Sequence, residues 1–140
     1  MTTSQNSDYS KGLEGVIAAQ TRLSCVNGEA SQLSYLGISI QDLIAHSTFE
    51  EVVFLLLFQK LPNQKELDGF SKELAGLRTL PNEVLSFLAE FPRSANPMAT
   101  LRTAASALAL FDPHADSLSK EANLQKAKRL VAVLPTIIAA

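Results

Sequence analysis

Thr48-Phe49-Glu50-Glu51-Val52-Val53-Phe54-Leu55-Leu56-Leu57-Phe58-Gln59-Lys60-Leu61-Pro62 is the stretch whose reading decides the fold class. A hydroxyl at Thr48 with an acid three residues later at Glu51 is the spacing of a reciprocal helix cap. The run that follows is apolar on nearly every side, and Leu61-Pro62 closes it near Gln59 or Lys60, because proline disfavours helical geometry in the residue before it. The stretch predicts a buried helix rather than a surface one.

Working outward, the same punctuation recurs. Ser39-Ile40-Gln41-Asp42 repeats the hydroxyl-to-acid spacing upstream and predicts another helix start. Downstream, Asn63 with Glu66 opens a helix whose Leu67, Phe70, Leu74 and Leu77 share one face. Pro81, as a first-turn proline, starts the next through Val84, Leu85 and Leu88, and Phe91-Pro92 closes it. Asn96-Pro97 caps a fifth helix from Met98 to Phe111, whose small residues, Ala99, Ala104, Ala105, Ser106, Ala107 and Ala109, permit close approach of a neighbour. Asp112-Pro113 ends it, and a polar link from His114 to Ser119 leads to a sixth helix near Lys120. Leu124, Ala127, Val131 and Leu134 are its expected inward residues. Pro135 should kink it, and the apolar residues resuming at Ile137-Ile138 predict that it continues past the proline.

Ahead of the helices, Leu23, Cys25, Leu33 and Tyr35 lie at strand spacing on either side of Asn27-Gly28, a pair suited to the positive φ angles of a tight turn. The expected fold is mainly α, multi-helical, with a short N-terminal β-hairpin. Residues 1–11 carry almost nothing to bury and read as a mobile tail, leaving 12–140 as the helical domain.

Composition agrees. Leu (22) and Ala (18) far outnumber Val and Ile together (13) in the 140 residues, which favours helix over sheet. Twelve Lys and Arg against fourteen Asp and Glu leave a formal charge of −2, with no electrostatic footprint for nucleic acid or anionic lipid. The longest apolar run, Val52 to Phe58, is far short of the ~20 residues a membrane-spanning helix needs. The single Cys25 cannot form an internal disulfide, and a reducing, cytoplasmic setting is expected. The chain is still apolar from Leu130 to Ala140, with no polar tail, which reads as a chain cut short.

Chemistry-bearing residues are few. His46 ends a helix, where a histidine can bond the last carbonyls, and His114 lies in a loop; neither has the companions of a metal site. Cys25 reads as an inert, buried thiol. Asp42, Glu50 and Glu51 fall in first helical turns, where carboxylates meet the positive end of the dipole. Arg102, on an otherwise apolar helix, either pairs with a carboxylate or lays its stem over apolar surface with its head in water; the second is expected. There is no Gly-rich phosphate loop, paired-cysteine spacing or nucleophile elbow. No catalytic, cofactor-binding or metal residue is assigned.

The order of the segments resembles the N-terminal part of the citrate synthase family, in its shorter bacterial and archaeal form. The resemblance spans 12–140 and is carried by Gly12-Leu13-Glu14-Gly15-Val16, Thr21 and Ser24, Tyr35 to Leu43, and Ser47-Thr48-Phe49-Glu50-Glu51-Val52 with Leu55-Leu56-Leu57. It continues through Leu61-Pro62, Phe91-Pro92, Pro97-Met98, Leu101-Arg102-Thr103, Ser106-Ala107-Leu108, Asp112-Pro113 and Leu134-Pro135-Thr136-Ile137-Ile138-Ala139-Ala140. Two departures are Leu36, where the family usually has Arg, and Asn96, where it usually has His. The resemblance implies a helical homodimer paired through helices near 97–111 and 120–140, and an acyltransferase of the tricarboxylic acid cycle. Such an enzyme condenses acetyl-CoA, a co-substrate and not a covalent cofactor, with oxaloacetate. It also implies that the family's two histidines and aspartate lie downstream of Ala140, so the 140 residues alone should be inactive. A 2-methylcitrate synthase using propionyl-CoA and a non-catalytic helical interaction module are the alternatives.

Overall fold

The computed structural model describes residues 16–17 and 19–140, so the expected tail at 1–11 lies outside the described residues. The chain divides into two compact units, one reaching His46 and the other spanning Ser47–Ala140.

The first unit is a three-stranded antiparallel sheet, β1 (Ser24–Asn27), β2 (Gln32–Tyr35) and β3 (Ile38–Ser39), followed by helix α1 (Ile40–His46). Its tight turn is not where the sequence places it. Asn27 pairs with Gln32, so four residues separate β1 from β2, and Asn27 Oδ1 accepts the N–H of Ala30 at 3.1 Å. Closing this longer loop puts Ser31, not Asn27 or Gly28, at positive φ (52°). The two-residue turn with φ positive at both positions joins β2 to β3 at Leu36 (50°) and Gly37 (85°). The third strand, only two residues long, has no periodicity to read. β1 is exposed along its whole length, so Cys25 is exposed rather than buried: among the described residues no second layer covers it. Ser39 caps α1, accepting the N–H of Asp42 at 3.1 Å and donating to its carboxylate at 2.7 Å, and Leu43 is the helix's buried residue.

The second unit holds α2 (Phe49–Phe58), α3 (Gln64–Gly76), α4 (Asn82–Ala89), α5 (Pro97–Ala107) and α6 (Lys120–Ala139). Both expected reciprocal caps are present, Thr48 with Glu51 and Asn63 with Glu66. Helix α2 stops at Gln59, which takes a left-handed φ of 60° two residues before Leu61-Pro62. It is not the fully buried helix expected: Phe54 and Leu55 are enclosed, Val52, Val53 and Leu56–Phe58 are half-buried, and Phe49 is 63% exposed. Pro81 caps α4 from just outside the helix, and the inward pair is Val84 with Leu88, leaving Leu85 exposed. The fifth helix tightens at its end into a 3₁₀ turn, Leu108–Phe111.

Two apolar clusters form the core. Leu80, Val84, Ala104, Leu108, Val133 and Ile137 make one; Phe54, Phe70, Leu74 and Ala132 make the other. Phe70 meets Phe54 and Phe58 edge-on, at ring separations of 5.3 and 6.0 Å. Helix α6 contributes to both clusters, and its phase is the reverse of the expected one. Lys128, Ala132, Val133 and Ile137 are buried, whereas Leu124, Ala127, Val131 and Leu134 are half-buried. At 3.6 residues per turn these sets lie on opposite sides of the helix. Both sides are apolar, so periodicity alone admits either solution. What makes the side bearing a lysine tolerable is Glu73, whose carboxylate accepts from the Lys128 ammonium at 2.8 and 3.0 Å, with the Phe58 ring 5.7 Å beyond. The helix continues through Pro135, as expected.

Three outcomes follow from this packing. Gly37→Ala should lower the stability of the chain by about 1–2 kcal/mol, the cost of a Cβ in the left-handed region, although that Cβ would meet nothing within 4 Å. Gly28→Ala, in equally open space at an ordinary φ, should be neutral or slightly stabilising; denaturant melts of both variants check the contrast. Glu73→Ala strands a buried ammonium and should cost about 1–3 kcal/mol, while Lys128→Met, which removes the charge and keeps the volume, should cost much less. Equal losses in the two melts would show that packing, not pairing, holds this site. Finally, hydrogen bonds from Lys60 and from the Asn63 backbone hold the Glu66 carboxyl below the ordinary glutamate range. A depressed acid stabilises the fold above its unfolded pKa, and that contribution is lost as pH falls through the folded value. The first turn of α3 should therefore loosen only in distinctly acid solution, read by NMR titration of Glu66, and Glu66→Gln should abolish that dependence.

Candidate functional site

A polar concavity of the second unit is a cleft of about 560 Å³ between the 112–119 loop and the first half of α6. Its wall is organised by local hydrogen bonds. Asp112 Oδ1 accepts the His114 N–H at 2.8 Å, and Ser117 donates its N–H to the His114 carbonyl at 3.0 Å. Ser119 caps α6 by accepting the Ala122 N–H at 3.1 Å. The Lys126 ammonium reaches back to the carbonyls of Ala115 (3.0 Å) and Ser117 (2.6 Å), pinning the loop to the helix. Lys126 and Arg129 face Asp112 and Glu121 around the cleft, so its fixed charges balance. An open, charge-balanced cleft can admit a small polar molecule but has no preorganised oxyanion site.

Each residue singled out from sequence is accounted for by its own local setting. His46 lies exposed in the last turn of α1 in the first unit, and His114 lies exposed in the loop of the second. Asp42 and Glu51 are occupied as capping partners, and Glu50 pairs with Arg78 at 3.8 Å. Arg102 is exposed and makes no ion pair among the described residues, so its head is in water as expected. Among the described residues no group of three or more His, Cys, Asp or Glu side chains is placed to hold a metal ion. No helix is long and apolar enough to cross a membrane. Lys126 and Lys128, the two side chains with the most specific polar geometry, were not legible in the sequence, because their partners lie 9–11 and 55 residues away.

Of the two departures from the family pattern, Leu36 occupies the left-handed turn position described above. Asn96 caps α5, its Oδ1 accepting from Met98 at 2.9 Å and Ala99 at 3.2 Å.

The family model described as "Citrate synthase, C-terminal domain" matches residues 12–140. Citrate synthase of Haloferax volcanii is 43% identical over 137 residues, covering 95% of this chain and 36% of that protein. 2-Methylcitrate synthase of Mycobacterium tuberculosis is 41% identical over 138 residues, covering 99% of this chain and 35% of that protein. Among solved structures, citrate synthase of Thermoplasma acidophilum, in a ternary complex with carboxymethyl coenzyme A and oxaloacetate, superposes with a TM-score of 0.83 at 27% identity over 93% of this chain and 34% of its own. The chain thus spans about a third of the length of the curated relatives it matches. Sustained identity through both units and a shared helical fold place the chain in the citrate synthase family.

Proposed function

We propose that these residues are the N-terminal scaffold of a citrate synthase, an acyltransferase joining acetyl-CoA to oxaloacetate, with water, to give citrate and CoA. The observation that carries this reading is the identity with citrate synthases along nearly the whole chain. The reaction sets the requirements. The α-proton of a thioester is a very weak acid, so a base must take it while donors hold the developing enolate oxygen, and an acid must meet the ketone, all in a site closed to water. The family meets these needs with two histidines, in segments of the Gly-Pro-Leu-His-Gly and Gly-His-Arg type that these 140 residues lack, and with a later aspartate. His46 and His114 take no such role.

The contribution of this chain is support: two apolar clusters bridged by α6, with the Glu73–Lys128 pair at their margin. Pairing of two subunits through the regions 97–111 and 120–140 is part of the proposal, as are a cytoplasmic setting and the absence of a covalent cofactor. Exposed Met98, Leu110 and Ile138 support the pairing, because such side chains become an asset only when covered. A second reading, 2-methylcitrate synthesis from propionyl-CoA, is favoured by relatives of that name at 41% identity. No observation favours a free-standing interaction module.

The test is thiol release from acetyl-CoA and propionyl-CoA, with and without oxaloacetate. The 140-residue chain should release none, since removing members of a group that acts as a unit abolishes nearly all rate enhancement. A protein carrying these residues together with the family's downstream segments should sediment as a dimer and release CoA only when oxaloacetate is present. Faster turnover of propionyl-CoA would select the second reading. Oxaloacetate-dependent turnover by the short chain, or none by the long one, would overturn the proposal.

A further inference from the structure

We propose that Asn27-Gly28, in the loop between β1 and β2, is a site of spontaneous covalent self-modification, at which the asparagine side chain converts to aspartate and isoaspartate through a cyclic imide. The dipeptide places an unhindered amide nitrogen next to a side-chain carbonyl carbon. Gly28 has no Cβ, and the space where one would sit is open, with nothing within 4 Å. The Gly28 N–H donates to no group among the described residues, while the Gly28 carbonyl is held by Ser31 at 3.3 Å. Every residue from Thr21 to Gln32 is exposed, so water and hydroxide reach the site.

The fold adds something the dipeptide alone lacks. Asn27 Oδ1 accepts the Ala30 N–H at 3.1 Å. When Gly28 N loses its proton to solvent base and attacks Cγ, the new N–Cγ bond pushes negative charge onto Oδ1, where that N–H already points. A backbone donor fixed where charge develops lowers the barrier, as at an oxyanion hole. Collapse of the tetrahedral species breaks the Cγ–Nδ2 bond, and Nδ2 leaves as ammonia with a proton from water. Water then opens the five-membered imide. Addition at Cγ gives aspartate; addition at the main-chain carbonyl carbon gives isoaspartate, with one extra methylene in the backbone. The aspartate product can still accept from Ala30 and keeps the turn. The isoaspartate product lengthens the chain between β1 and the loop, so the Asn27–Gln32 pairing, the last of the β1–β2 ladder, is lost.

The 140-residue chain is incubated in mildly alkaline buffer, sampled over time and mapped by mass spectrometry. An isoaspartate carboxyl methyltransferase with a labelled methyl donor counts the β-linked product. The expected result is the mass gain of an amide turned to acid, with ammonia release, faster at Asn27 than at any other described asparagine, and faster at higher pH. Asn63, Asn82, Asn96 and Asn123 serve as internal controls and should stay intact. Gly28→Ala, which the open space around it tolerates, should slow conversion severalfold. Conversion of Asn27 no faster than of the four controls, or an undiminished rate in Gly28→Ala, would overturn the proposal. So would faster conversion in the urea-unfolded chain than in the folded one, because the loop geometry would then be shielding the site rather than assisting it.

Discussion

Helix α6 has to close two apolar clusters at once, and much of the second unit is arranged around that requirement. Val133 and Ile137 enter the cluster built on α4 and α5, while Ala132 enters the one built on α2 and α3. A helix serving two clusters presents a broad arc inward, and in α6 that arc includes one polar residue. Lys128 is that residue, 7% exposed, and Glu73 on α3 supplies the countercharge. The pair ties α6 to α3 where the aromatic cluster ends. Small residues do the complementary work on the other side, where fully enclosed Ala104 lets α5 pack against α4 and α6 around Val84 and Val133.

Legibility followed the range of the interaction. Caps close within three residues, so Ser39, Thr48, Asn63, Asn96 and Ser119 all stand where the sequence places helix starts, with their hydrogen bonds formed. Turn geometry depends on which residues pair across the sheet, and this is where the reading failed. Asn27-Gly28 has the composition of a two-residue turn, but the Asn27–Gln32 pairing makes the loop four residues long, and the two-residue turn falls at Leu36-Gly37. The exposed Cys25 follows from the same cause, since alternation along a strand does not reveal whether a second layer covers it. The phase of α6 was illegible for a different reason: its countercharge lies fifty-five residues away.

The candidate site was legible only at the level of family. No side chain of this chain announces acyl transfer, because the chemistry requires three groups brought together from separated segments, and spacing along 140 residues cannot display a constellation they do not contain. The ordered short motifs carried the assignment, and many prove to be structural punctuation: Thr48 with Glu51 caps a helix, Pro97 starts one, and Asp112 organises the loop that Lys126 pins. Family resemblance was therefore read largely from the residues that shape the scaffold.

The reversed phase of α6 bears on assembly. Leu124, Ala127, Val131 and Leu134, with exposed Ile138, form an apolar side directly opposite the side that faces the two clusters. In a helix that covered a single core, that outer side would be polar, because apolar side chains left in water forfeit the ~1.5–3 kcal/mol that burying each would contribute. Pro135 is exposed within the helix, and its ring crowds the turn that precedes it. A helix apolar on both sides is one built to be covered on both. Leu124, Ala127, Val131 and Leu134 are half-covered within the second unit, and the area they leave open supports the proposed pairing of subunits. Apolar residues on both sides are also why periodicity alone does not fix which side of α6 faces the clusters.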